Sequence, residues 1–299
     1  MEWKETLSRY IDLINEALST YTDIENGENQ QVINAMQYSL FAGGKRLRPV
    51  LTLAAAEMLG SDAKAALPYA CALEMIHTYS LIHDDLPAMD DDDTRRGKPT
   101  NHKVYGDGMA ILAGDGLLNL AYEIMLEDAL KQDNPTTCLK AAHTIAVAAG
   151  IHGMIGGQTA DLMNEGRLKQ DEPSANTLAY IHQHKTGALL AAALTAGAYV
   201  AGATEKEAEA MKSAGFALGL AFQIQDDLLD LEGDEEEMGK PVGSDLKNEK
   251  LTYPVLYGVE ASHEKVRALT DGALGIFEGF GSGSAFLQSL ATYLISRRT

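Results

Sequence analysis

Little in this chain suits a secreted, disulfide-stapled or nucleic-acid-binding protein. It has two cysteines, Cys71 and Cys138, both in apolar helical surroundings. That number gives no disulfide framework and reads as buried thiols in a reducing compartment. Basic residues are scarce, with 24 Lys and Arg against 43 Asp and Glu and a formal net charge of -19. Nucleic acid is therefore excluded as a partner, because neutralising phosphates needs a basic surface. The first residues, MEWKETLSRYIDLINEALST, include Glu2, Glu5 and Asp12 and lack the basic-then-apolar layout of a signal peptide. No export and a cytoplasmic location are expected. The apolar stretch from Ala188 to Ala203 is short of a membrane span and is interrupted by Thr195 and Gly197, so it reads as a buried helix, with no integral span.

Sustained strand-like alternation and Pro/Ser-rich linkers are also missing, and helical spacing fills the space they leave. Leu7, Ile11, Ile14 and Leu18, or Leu112, Leu117, Leu120 and Ile124, recur with the period of an amphipathic helix. The pattern predicts helices over 2–20, 29–42, 49–59, 67–86, 107–130, 134–150, 174–202, 205–232, 251–279 with a break, and 284–297. The fold class is all-α, with one domain over residues 1–299. Two polar loops, 87–106 and 233–250, interrupt it, and long loops of this kind usually carry function.

Each loop follows an aspartate cluster. Asp84, Asp85 and Asp90 lie in LIHDDLPAMDDDD, and Asp226, Asp227 and Asp230 in FQIQDDLLD. Both clusters close an apolar helical run, where the helix dipole leaves partial negative charge and ionised carboxylates meet like charge. Carboxylates placed there need a cation. In the second cluster, Gln223, Asp226, Asp227 and Asp230 share one face, with Gly215 and Gly219 continuing it as a stripe without side chains that would suit a pocket. In the first, Asp84 and Asp90 would stand about 240° apart on an unbroken helix. Pro87 removes a donor and disfavours helical geometry at Leu86, so the chain is expected to leave the helix there and bring Asp90 back beside Asp84.

The EF-hand pattern fails because Arg95 follows Asp91 and Asp93, and no His/Cys set has zinc spacing. Mg²⁺ fits better, since it is held by one or two carboxylates together with substrate phosphates. Two such clusters around one diphosphate would stabilise it as a leaving group. Cations are concentrated nearby, with Lys45, Arg46 and Arg48 after Gly43 and Gly44, and Arg95, Arg96, Lys98 and Lys103 after the first cluster. Adjacent Arg95 and Arg96 can reach opposite sides of a polyanion. Asp91, Asp92 and Asp93 are read as structural partners of those arginines, and His77 shares a helix face with Asp84.

LIHDDLPAMDDDDTRRGKPT, GGKRLRP, GGQTADL, HKTGALL and FQIQDDLLDLEGD together resemble the trans-isoprenyl diphosphate synthases, specifically the bacterial farnesyl diphosphate synthases. The resemblance implies an isoprenoid-synthase fold, helices around a deep central cavity, and a homodimer. It implies condensation of isopentenyl diphosphate with dimethylallyl and then geranyl diphosphate to give farnesyl diphosphate, with geranylgeranyl diphosphate synthase as the alternative within the family. By the same resemblance, Asp84, Asp85, Asp90, Asp226, Asp227 and Asp230 would hold Mg²⁺, three ions per site. Lys45, Arg48, His77 and Arg96 would hold isopentenyl diphosphate. Arg95, Lys185, Thr186, Gln223, Lys240 and Lys250 would contact the allylic diphosphate. Tyr79, five residues before Asp84, and its neighbour Ser80 would set product length. Gln158 and Asp161 would lie near the reacting carbons, Asp234 and Asp245 would support the site, and Arg297 and Arg298 would close over it. A class I terpene cyclase is disfavoured by the second Asp-rich motif, and a catalytically silent partner subunit by the presence of both clusters with their basic complement.

Overall fold

A computed structural model describes residues 2–24, 27–164, 172–232 and 251–296. The chain is built of helices: α1 (Glu2–Thr22), α2 (Gln30–Leu40), α3 (Leu47–Met58) and α4 (Leu67–Asp84), then α5 (Asn101–Tyr105), α6 (Asp107–Leu130), α7 (Thr136–Ala149) and α8 (Met154–Asn164). After these come α9 (Glu172–Ile181), α10 (Ala188–Val200), α11 (Glu205–Glu232), α12 (Tyr253–Tyr257), α13 (Val259–Glu278) and α14 (Ala285–Ser296). The fold is all-α, as expected. The one departure among the described residues is a hairpin of two-residue strands, β1 (Thr94–Arg95) and β2 (Lys98–Pro99), paired antiparallel with Arg95 opposite Lys98.

The core explains the order of burial. Ile14 and Leu18 of α1, Leu51 and Leu53 of α3, Leu73 and Ile76 of α4, and Leu117 of α6 are fully buried. α10 is buried along its whole apolar length from Ala188 to Ala198, the state of a helix that is hydrophobic all round. Two segments, Asp107–Leu130 and Thr136–Asn164, are long and apolar enough to cross a membrane. Each nevertheless lays one face on the core, through Ala113, Leu117 and Ala121 in α6 and Ala141, Ile145 and Ala149 in α7.

Three expectations need correction. The segment 151–173 was read as non-helical, yet α8 forms there. Gly156 and Gly157 lower its intrinsic propensity, and Gly157 is needed because a Cβ would come within 2.7 Å of the His184 carbonyl carbon. The helix expected over 174–202 is divided: α9 and α10 are joined by a π-helical turn, His182–Gly187. Finally, Gly215 and Gly219 do not line a pocket. A Cβ on Gly219 would lie 2.8 Å from Gly187 Cα, and one on Gly215 would collide with the Ala191 backbone. The stripe lets α11 press against α10.

Candidate active site

α4 ends at Asp84 with Asp85 as its cap. Beyond Pro87 the chain doubles back: the Asp90 N–H donates to the Asp84 carbonyl at 2.9 Å and the Asp91 N–H to the Leu86 carbonyl at 3.1 Å. Asp91 takes a left-handed φ of 51° to make the return. The break at Pro87 therefore joins the backbones of Asp84 and Asp90, as the spacing argument required.

The neighbouring carboxylates have different partners. Asp84 lines a cavity of about 540 Å³, where it accepts a hydrogen bond from the Gln158 amide. Lys185 Nζ stands 4.0 Å from Asp84 Oδ2 and 2.7 Å from Asp161 Oδ2. Asp85, 3% exposed, instead accepts from Arg95 Nε at 2.6 Å and lines a separate pocket of about 30 Å³. Burial pushes the Asp85 carboxyl above its ordinary value, and the Arg95 charge opposes the shift. Asp90 is exposed beside them.

The second cluster lies on the last turns of α11. Asp227 is 4% exposed and accepts from Gln223 Nε2 at 3.3 Å and from the Tyr253 backbone N–H at 3.0 Å. Asp226 and Asp230 are half-buried on the same helix. The π-helical turn links the two clusters, because Lys185 reaches Asp161 and Asp84 while the next residue, Thr186, donates to Gln223 Oε1 at 3.2 Å. π-turns inside helices often mark functional sites, and this one sends Lys185 to the first acidic cluster and Thr186 to Gln223, which in turn donates to Asp227 of the second.

The basic residues separate just as clearly. Arg46, at a left-handed φ of 49°, is buried: Nη1 pairs with Glu74 at 2.7 Å, Nη2 donates to the Leu40 carbonyl at 2.7 Å and Nε to Asn15 at 3.2 Å. Those contacts fix the loop, with its neighbour Lys45 exposed and Arg48 turned into the cavity lining. Arg48 Nε is buried without a hydrogen-bond partner among the described residues, and burial lowers its guanidinium to about 10, against the favourable Glu74 charge. His77, beside it in the cavity, is held well below the ordinary imidazole value by burial and then by Arg48, Arg96 and Arg95. His77 is neutral at pH 7. Arg96 and Gly97 occupy the hairpin turn with φ of 54° and 74°, the paired positive φ of a tight turn. That turn sends Arg95 to Asp85 and Arg96 to the Gly43 carbonyl. A side chain on Gly44 would meet the Arg96 guanidinium at 2.9 Å, so this glycine opens the seat of the arginine.

The cavity thus brings together Arg48, His77, Tyr79, Ser80, Asp84, Gln158, Lys185 and Thr186. Its other walls are largely apolar, with Leu118, Met154, Ile155 and Leu162. Tyr79 is 6% exposed, and burial raises its phenol to about 12. Sequence reasoning missed His83, Asp115 and Met154, which also line it; no motif singles them out. Lys240, Lys250, Asp234, Asp245, Arg297 and Arg298 lie outside the described residues.

A hard divalent cation fits the donors at Asp84. They are carboxylate oxygens, those of Asp84 and, on the other side of the Lys185 ammonium, Asp161. A second group able to hold a metal was not expected: Asp91, Asp93 and the buried His102 bring ligand atoms within 4.8 Å of one another. The arginine pairing foreseen for this run holds for Asp92, 3.4 Å from Arg95, whereas Asp93 pairs with Lys103 at 2.6 Å.

Comparison with known proteins gives a consistent result. The polyprenyl synthetase family profile matches residues 29–275. The farnesyl diphosphate synthase of Geobacillus stearothermophilus is 48% identical over 88% of this chain and 87% of its own. The large subunit 1 of a heterodimeric geranylgeranyl pyrophosphate synthase from Arabidopsis thaliana chloroplasts is 45% identical, over 96% of this chain and 77% of its own. Among solved structures, an FPP/GFPP synthase from Zymomonas mobilis superposes with a TM-score of 0.86 at 36% identity, covering 99% of each chain.

Proposed function

This chain belongs to the polyprenyl synthetase family and is a short-chain prenyltransferase, and on that premise we propose that it condenses isopentenyl diphosphate with dimethylallyl and then geranyl diphosphate to give (2E,6E)-farnesyl diphosphate. One observation carries the reading: a single cavity lined by Arg48 and His77, by Asp84 and Lys185, and by the buried Tyr79. It offers charge for two diphosphates and apolar wall for a growing chain.

Lys45, Arg48, neutral His77 and Arg96 hold isopentenyl diphosphate. Lys185, Thr186, Gln223 and Arg95 orient the allylic diphosphate, with Lys240 and Lys250 as further contacts. Asp84, Asp85, Asp90, Asp226, Asp227 and Asp230 are the carboxylates assigned to Mg²⁺, Asp84 and Asp90 with their backbones joined and Asp85 also steering Arg95. Bound Mg²⁺ supplies positive charge that stabilises the departing diphosphate. The apolar walls exclude water from the allylic cation that results, and the double bond of isopentenyl diphosphate attacks it. The released diphosphate takes the proton, so the chain needs no side-chain base.

Farnesyl is favoured by the bulk of Tyr79, which lies buried in the cavity wall. Geranylgeranyl is the second reading, because curated relatives carry that name. Two copies of a single all-helical domain form a homodimer in this proposal. Exposed apolar residues on α6 and after α7 support it, notably Leu112, Leu126, Leu130 and Ile151. A cytoplasmic location agrees with the two free, buried cysteines.

The test supplies labelled isopentenyl diphosphate, dimethylallyl diphosphate and Mg²⁺ to the purified protein and separates products by chromatography. Farnesyl diphosphate is expected, abolished by a chelator and restored by Mg²⁺. Folded protein that forms no longer prenyl diphosphate would refute the reading.

A further inference from the structure

Tyr79 does not stand alone in the cavity wall. One turn along α4, His83 places its ring edge-on to the Tyr79 ring, with centroids 5.7 Å apart and planes at 78°, a favourable aromatic arrangement. His83 Nε2 lies 3.1 Å from the Ile111 carbonyl of α6. A carbonyl only accepts, so Nε2 carries the proton and donates. The ring sits where α6 lacks a side chain: a Cβ on Gly114 would collide with His83 Nε2 and Cδ2. Asp115, 4.0 Å from Nε2, lines the same cavity as Tyr79 and His83.

From this geometry we propose that His83 is a specificity-determining positioning residue, a brace that pins the Tyr79 ring across the cavity and thereby fixes product length, with Gly114 providing its seat. The inference rests on the prenyl diphosphate synthase reading and adds to it. The bulk of residue 79 sets the limit only while its ring is held. Core packing already restricts the Tyr79 rotamer, and the edge-on contact from His83, itself held by α6, adds a constraint on the ring. His83 touches no diphosphate in this account. Its effect reaches the substrate tail through Tyr79.

Four variants test the brace on the intact protein: Tyr79→Ala, His83→Ala, His83→Phe and Gly114→Ala. Gly114→Ala is the sharpest, because it alters neither ring yet displaces the imidazole, and alanine is the better helix former. The readout is the distribution of prenyl diphosphate chain lengths, which a general loss of stability or rate does not move. His83→Ala and Gly114→Ala are each expected to shift the main product by one five-carbon unit, in the direction of Tyr79→Ala. His83→Phe, which keeps a ring edge, should stay nearer the parent distribution. Melting curves establish that each variant is folded, and Gly114→Ala decides the matter should His83→Ala fail to fold. An unchanged distribution in Gly114→Ala and His83→Ala, with Tyr79→Ala lengthening the product, overturns the brace and leaves the synthase reading standing. Parent protein that makes no prenyl diphosphate overturns both.

Discussion

The Asp90 amide donates to the carbonyl of Asp84 at 2.9 Å. The seven residues from Asp84 to Asp90 are closed into a loop by that bond, so the backbone position of one aspartate fixes that of the other. On the proposed reading this pre-sets one side of the metal site before any cation arrives, which reduces the ordering cost of binding.

Asp84→Ala and Asp226→Ala are expected to lower turnover by about a hundredfold or more each, the scale of losing one charge-stabilising group in an active site. Circular dichroism should show the helical fold intact. A near-normal rate in either variant removes that aspartate from the metal set.

Glu74→Gln leaves the Arg46 guanidinium buried with its charge uncompensated. Both side chains are 5% exposed or less, and breaking such a pair costs about 3 kcal/mol or more. Urea denaturation measures the loss. A midpoint equal to that of the parent contradicts the assignment of Arg46 as the anchor of its loop.

His77 gives stability a pH dependence. Its folded value lies well below the unfolded one near 6.5, so the unfolded chain binds the proton first as pH falls. The contribution is complete above about pH 6.5 and is lost progressively as pH drops toward the depressed folded value. His77→Gln should flatten the melting temperature profile between about pH 6.5 and pH 5. Parallel profiles for the two proteins would show that burial does not hold this imidazole neutral.

Tyr79→Ala should let products grow beyond fifteen carbons, read by chromatography of the dephosphorylated alcohols. An unaltered profile means that the limit lies elsewhere in the wall.

Much of this was legible in the sequence where a local cause acts alone. Pro87 announced its own turn, and the apolar run at Ala188 announced a core helix. Elsewhere the cause lay on a second element that periodicity does not reveal. The glycines of α11 look like an open stripe until α10 is set against them. Arg46 and Arg48 are indistinguishable in GGKRLRP, yet Glu74, on a different helix, claims the first and leaves the second to the cavity. α8 was missed because its glycines argue against helix locally, while one of them, Gly157, permits the close approach of the turn before α10. His83 carries no motif of its own beyond adjacency to Asp84.

The π-helical turn has a consequence for variation in this fold. Lys185 and Thr186 are consecutive, so their Cα atoms are about 3.8 Å apart whatever surrounds them, and one addresses Asp84 of the first acidic cluster while the other reaches Asp227 of the second through Gln223. The gap between those clusters is therefore gauged by a covalent bond, like the jaws of a caliper. Cavity walls can be recut to admit longer or shorter chains without resetting that gauge, whereas deleting one residue from His182–Gly187 would spoil it with every chemical group still present.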